Sequence, residues 1–305
     1  MLVIATSDKG GTGRSVTGGN IAYRRSLLGS DVCYLDFDFG SPTAGAVFGV
    51  ERAARGIECG GLHSFLQGRI AEPDRIDVWR DSDQEGMGAR PPGAGRLVLL
   101  PGDRGGGEFA LTRDALERCT KLLIRLQEEF DLCLIDLSAG RSHAAEMVLT
   151  ATAQPELRPL ETRWLVFHRW TRQNILAAAG LVYGDRGLIR GGVERGHRED
   201  ELAGSIRFVR TAMLDFESAE PAGLRPAQAA WLREHHRALE ELARRNRLDR
   251  TTVLAAVPFE PALQMREQLI SDQDVRAGRI ANAETPEAFD RLARKLTDPA
   301  AWERP

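Results

Sequence analysis

The stretch Lys9-Gly10-Gly11-Thr12-Gly13-Arg14-Ser15 decides how this chain is read. It follows Leu2-Val3-Ile4-Ala5, a short apolar run that predicts a buried strand, and precedes residues 16–28, whose pattern predicts a helix. Three glycines let successive backbone N–H groups converge on one anion, and the positive end of the helix behind them adds a field of the same sign. Strand, glycine loop and helix in this order make a phosphate cradle.

The general P-loop pattern asks for glycine, four residues, then Gly-Lys-Ser/Thr, and the chain departs from it twice. Asp8 stands at the first glycine position and Arg14 at the lysine position. The loop resembles instead the deviant Walker A loop of the ParA/MinD family, Lys-Gly-Gly-x-Gly-Lys-Ser/Thr, with the leading lysine at Lys9 and the hydroxyl at Ser15. Arg14 departs from that pattern too, and Val16 replaces a common second threonine.

Of the 41 basic residues, all but Lys9, Lys121 and Lys295 are arginine. Arg14 is therefore compatible with a general drift toward arginine, a usage that resembles high-GC actinobacterial proteins. The same drift makes the retained Lys9 more informative. Arginine keeps the charge of lysine but brings a planar, bulkier fork that prefers bidentate contacts. Loss of one charge-assisted phosphate contact costs about 1.5–3 kcal/mol, enough to slow turnover while leaving binding supported by backbone N–H groups.

Two further segments fit the resemblance. Val32-Cys33-Tyr34-Leu35-Asp36-Phe37-Asp38 is an apolar strand ending in alternate carboxylates, and Leu132-Cys133-Leu134-Ile135-Asp136 closes on another, followed by Leu137-Ser138-Ala139-Gly140. Ligand chemistry in open α/β sheets gathers at such carboxyl strand ends. Taken singly, each carboxylate is equally compatible with a plain strand cap.

Taken together, the resemblance implies a nucleotide site: Lys9, Gly10, Gly11, Thr12, Gly13, Arg14, Ser15 and Val16 around the phosphates of ATP, and Ser15, Asp36 and Asp136 around Mg²⁺. Asp38 would position the attacking water, and Lys9 would reach the phosphates of a partner subunit in a nucleotide-dependent homodimer, as a catalytic charge supplied in trans. Pro258 and Glu260, in Ala255-Ala256-Val257-Pro258-Phe259-Glu260-Pro261, would border the base.

The resemblance spans most of the chain, but specific motifs lie only in residues 1–140. It implies a weak or partner-stimulated ATPase switch that serves the positioning, partitioning or assembly of a cargo, with a protein partner. The rival reading is a degenerate P-loop scaffold that no longer turns nucleotide over, for which Arg14 is the argument. A third reading, a nucleotide-dependent kinase or reductase subunit of the same superfamily, lacks support, because the sequence shows no tyrosine-rich tail and no inter-subunit Cys-x-x-Cys.

Apolar runs alternating with helical patterns predict a mostly parallel, twisted α/β sheet of about seven or eight strands with helices on both faces. Strands are expected at 2–6, 32–36, 96–100, 132–136, 163–168, 206–210 and 252–257. The 305 residues read as a single domain with loop insertions near 81–95 and 184–200.

A net charge of −3 excludes a global basic field for nucleic acid, and the small cluster Arg244, Arg245, Arg247 and Arg250 gives DNA only weak support. The terminal helix 286–296 lacks the profile of a membrane anchor and reads as packed on the sheet. His235 and His236 point apart on a helix and read as solvent-facing. Four cysteines without metal spacing, and no long apolar segment, predict reduced thiols in a cytoplasmic protein.

Overall fold

Every residue of Leu2–Thr6 is buried, and alternate side chains enter different cores. Leu2 and Ile4 pack on one side of the sheet, Val3 and Ala5 on the other. That two-sided burial is why the strand reads as an unbroken apolar run rather than an alternating one. The computed structural model describes residues 1–214 and 225–303.

Eight strands form one sheet: β1 (Leu2–Thr6), β2 (Val32–Phe37), β3 (Ile76–Asp77), β4 (Leu97–Leu100), β5 (Leu132–Leu137), β6 (Thr162–Arg169), β7 (Ile206–Met213) and β8 (Val253–Pro258). Their order is β3-β4-β2-β5-β1-β6-β7-β8. Each neighbouring pair is parallel except β3 with β4. The parallel sheet with helices on both faces agrees with the sequence expectation. β3 was not expected, because two residues carry no periodicity. It ends at Asp77, whose side chain accepts from Trp79 N and starts a short helix.

One face is covered by helices Arg113–Glu129, His143–Thr152 and Arg172–Tyr183. The other carries helix Arg14–Leu27 and helix Glu284–Lys295. The terminal helix buries Phe289, Leu292 and Ala293 completely against helix Arg14–Leu27 and β8, so its apolar stripe is spent inside the molecule. Among the described residues no helix is long and apolar enough to cross a membrane.

Several local expectations change. Residues 184–200 hold helix Leu188–Glu194 and the start of helix Glu199–Gly204, with Leu188 and Leu202 buried, so the segment is partly helical rather than an irregular loop. Its glycines and charges hid two short helices that take their stability from packing. Residues 81–95 are irregular, yet Met87 and Ala94 pack on the core.

His236 is not solvent-facing, since its Nδ1 accepts from Trp170 Nε1 at 2.9 Å, while exposed His235 stacks on Trp231. Arg244 and Arg245 both pair with Glu241. All four cysteines are free thiols; Cys33, Cys119 and Cys133 are buried, while Cys59 is exposed.

Candidate nucleotide site

The three motif-bearing strands are neighbours in the sheet, in the order β2-β5-β1. Their carboxyl ends open on one cleft of about 350 Å³, a volume within the range of small-molecule sites. The glycine loop forms its floor. Gly13 adopts φ 75°, where a side chain is strained, and thereby turns the loop into helix Arg14–Leu27. Among the described residues, and beyond each glycine's own chain neighbours, no heavy atom stands within 4 Å of where Cβ atoms at Gly10 and Gly11 would lie.

The N–H groups of Gly10, Gly11 and Gly13 donate to no acceptor among the described residues. Donors left unused beside a helix N-terminus are what an anionic group needs. Two ties hold the loop in shape. Thr211 Oγ1, on β7, donates to Thr12 O at 2.6 Å, and Gly140 N donates to Ser7 O at 2.7 Å, joining the Ser138-Ala139-Gly140 turn to the loop's entry.

Arg14 turns away from the mouth of the loop and into the carboxylates. Its Nε donates to Asp136 Oδ1 at 2.5 Å and its Nη2 to Asp38 Oδ2 at 2.9 Å. Nη1 reaches Ser7 Oγ at 3.3 Å and Nη2 reaches Ser15 Oγ at 3.5 Å. Arg14 is only 6% exposed. Burial opposes its charge, but Asp136 and Asp38 more than offset that and raise the guanidinium above arginine's ordinary value. Burial also raises the Asp38 carboxyl, an effect that Arg14 opposes.

Asp36 and Asp136 are register partners on adjacent parallel strands, so their side chains share a face. Burial, then the charge of Asp136, push the Asp36 carboxyl well above its ordinary value and favour its neutral form. Its oxygens accept from Ala44 N at 3.0 Å and Asp38 N at 3.3 Å, which shapes the loop after β2. In this arrangement both Asp36 oxygens, which the sequence assigned to the metal's shell, are engaged by backbone N–H groups.

Tyr34 escaped sequence reasoning. Fully buried, it donates from its hydroxyl to Asp136 Oδ2 at 2.8 Å. The available signal was the period of two, which places Tyr34, Asp36 and Asp38 on one face of β2.

These contacts bear on the magnesium that the resemblance implies. Both Asp136 oxygens are taken by protein donors, both Asp36 oxygens by backbone N–H groups, and Arg14 lies within reach of Ser15 and Asp38. Magnesium demands near-octahedral oxygen ligation. The residues as arranged do not fit it, because a guanidinium stands among Asp136, Asp38 and Ser15 where the metal would sit.

Lys9 is the opposite case. It is half-buried at the rim, and its ammonium has no hydrogen-bond or ion-pair partner among the described residues. On the far side, Pro258 and Glu260 line the cleft. The Glu260 carboxylate, 2% exposed, is committed to Ala262 N, Asn282 N and Thr285 Oγ1. Arg169 and Gln264, bonded at 3.3 Å, also border the cleft and were not foreseen.

No protein-family model matches the chain. It is 26% identical over 148 residues to the septum site-determining protein MinD of Neisseria meningitidis serogroup B, a match covering 48% of this chain and 49% of that protein. The chain thus spans about half the length of this curated relative. Over 97% of its length it superposes on 94% of MinD in a MinC:MinD cell division complex from Aquifex aeolicus, with TM-score 0.59 and 18% identity. MinD from Pyrococcus horikoshii, complexed with Mg-ADP, superposes with TM-score 0.55 and 16% identity, covering 98% of this chain and 96% of that one. The chain has the fold of the MinD and ParA P-loop NTPases, and its sequence similarity to MinD is of low identity and confined to about half its length.

Proposed function

We propose that this chain is a nucleotide-dependent, dimerising switch of the ParA/MinD type, serving the positioning, partitioning or assembly of a cellular cargo. The observation that carries the reading is the open glycine cradle, whose floor N–H donors and neighbouring Lys9 ammonium have no partner among the described residues. The cradle and the helix N-terminus receive the phosphates of ATP, while Thr211 keeps the loop in its receiving shape. The walls at Pro258 and Gln264 border the base.

Lys9 lies free to meet the phosphates of a second copy across the cleft, which makes dimerisation depend on the triphosphate. Asp38 orients the attacking water only when released from Arg14, so hydrolysis by the isolated chain is slow and a protein partner that loosens the pair accelerates it. MinD of Aquifex aeolicus was solved with MinC, which makes a protein partner the natural class to try first.

A second reading is favoured by one observation, the double ion pair of Arg14. If the pair never opens, the chain is a nucleotide-binding scaffold without turnover. Calorimetry with ATP and ADP, followed by phosphate release on the same samples, separates these readings. ATP binding with slow release supports the switch, ATP binding with none supports the scaffold, and absence of binding removes both.

A further inference from the structure

Of the groups assigned by resemblance to a divalent cation and its water, Asp136, Asp38 and Ser15 are gathered here around a guanidinium. Arg14 Nε holds Asp136 at 2.5 Å, and Nη2 holds Asp38 at 2.9 Å while lying 3.5 Å from Ser15 Oγ. The remaining Asp136 oxygen accepts from Tyr34 at 2.8 Å. A metal ion entering this position would share carboxylate oxygens with existing donors and sit beside a fixed positive charge. Arginine cannot relieve that repulsion by losing its proton. Nor can it swing readily into water, since it is 6% exposed and held on several sides.

The donor count points the same way. A guanidinium carries five N–H groups. Four meet Asp136, Asp38, Ser7 and Ser15, and the fifth has no acceptor among the described residues. The side chain bearing it lines the phosphate cleft beside the glycine loop. Both Asp36 oxygens already accept from backbone N–H groups, those of Asp38 and Ala44.

We infer that Arg14 is a built-in counter-charge, and that a nucleoside di- or triphosphate binds this loop without a divalent cation. The inference rests on the nucleotide-binding reading above and adds that the metal is not part of the bound state. The planar fork contacts two carboxylates and two hydroxyls at once; a lysine ammonium, a single point of charge, does not span them. Arg14→Lys therefore frees carboxylate oxygen for a metal.

The test is calorimetric titration of ATP into the full chain in MgCl₂ and in EDTA, for wild type and Arg14→Lys. The wild-type dissociation constants should agree within about twofold between the two media, whereas Arg14→Lys should bind about tenfold or more tightly in MgCl₂. Wild type that binds in MgCl₂ and weakens about tenfold or more in EDTA overturns the inference while leaving the nucleotide reading intact. No binding in either medium removes the nucleotide reading itself, and the inference with it. Should the variant fail to fold, the two wild-type titrations decide alone.

Discussion

The glycine loop carries a cation at each end, and the two are treated in opposite ways. Lys9 stands at the rim with no partner among the described residues, while Arg14, five residues on, is buried between two carboxylates. A charge left unpaired is available to a ligand or a second subunit. One tied to two carboxylates is part of the structure before any ligand arrives, and must be released before it, or Asp38, can do anything else. The contrast separates binding and dimerisation, which need Lys9 and the cradle, from hydrolysis, which needs Asp38.

The sharpest way to break this comparison is to remove the buried cation. Arg14→Ala leaves Asp38 and Asp136 facing each other without compensation, and loss of one partner of a buried pair costs about 3–5 kcal/mol. Denaturant unfolding should register that loss. A cost near zero would mean that the carboxylates are not held by Arg14 in solution.

Tyr34→Phe comes next. It removes the donor to the second Asp136 oxygen, and a hydrogen bond to a charged group contributes about 1.5–3 kcal/mol. Unfolding midpoints compared with wild type measure it. An unchanged midpoint would place Asp136 in contact with water rather than in the buried pair.

A pH series sharpens the comparison by separating a buried histidine of β6 from the ion pairs of the cleft. His168 is 1% exposed, and burial lowers its pKa from 6.5 to about 4. The unfolded chain takes the proton first, so this contribution is complete above the unfolded value and is lost as pH falls from about 6.5 toward 4. Stability should drop by about 2 kcal/mol between pH 7 and pH 5, and His168→Phe should flatten that slope. A slope that survives the substitution would shift the titration to another group.

Lys9→Ala carries the smallest effect on folding. With no partner to lose, it should change stability by less than about 0.5 kcal/mol in a thermal melt, the range of ordinary surface substitutions. A larger loss would show that Lys9 is tied down within the monomer.

The legible part of the molecule was the part where sequence period and chemistry coincide. β1, β2 and β5 are apolar runs closed by a glycine loop or a carboxylate, and each element lies where that pattern places it. The two-residue β3 and the short helix Leu188–Glu194 exist through tertiary packing, and nothing in their local residue pattern announces them. Arg169 and Gln264 meet across a separation of 95 residues, beyond the reach of any spacing rule.

The direction of Arg14 was also hidden. The sequence shows its charge and bulk, but only the fold shows that Asp38 and Asp136 stand close enough for one guanidinium to bridge them. Tyr34 is a case between the two. Its face was readable from the alternation along β2, but its partner lay on another strand.

The central claim is that the open end of the loop makes assembly depend on the triphosphate. Sedimentation velocity of wild type and Lys9→Ala in ATP and in ADP tests it most directly. The account predicts a wild-type dimer in ATP, a monomer in ADP, and a folded Lys9→Ala that remains monomeric in both. Wild type that stays monomeric in ATP, or a Lys9→Ala variant that dimerises like wild type, would contradict it.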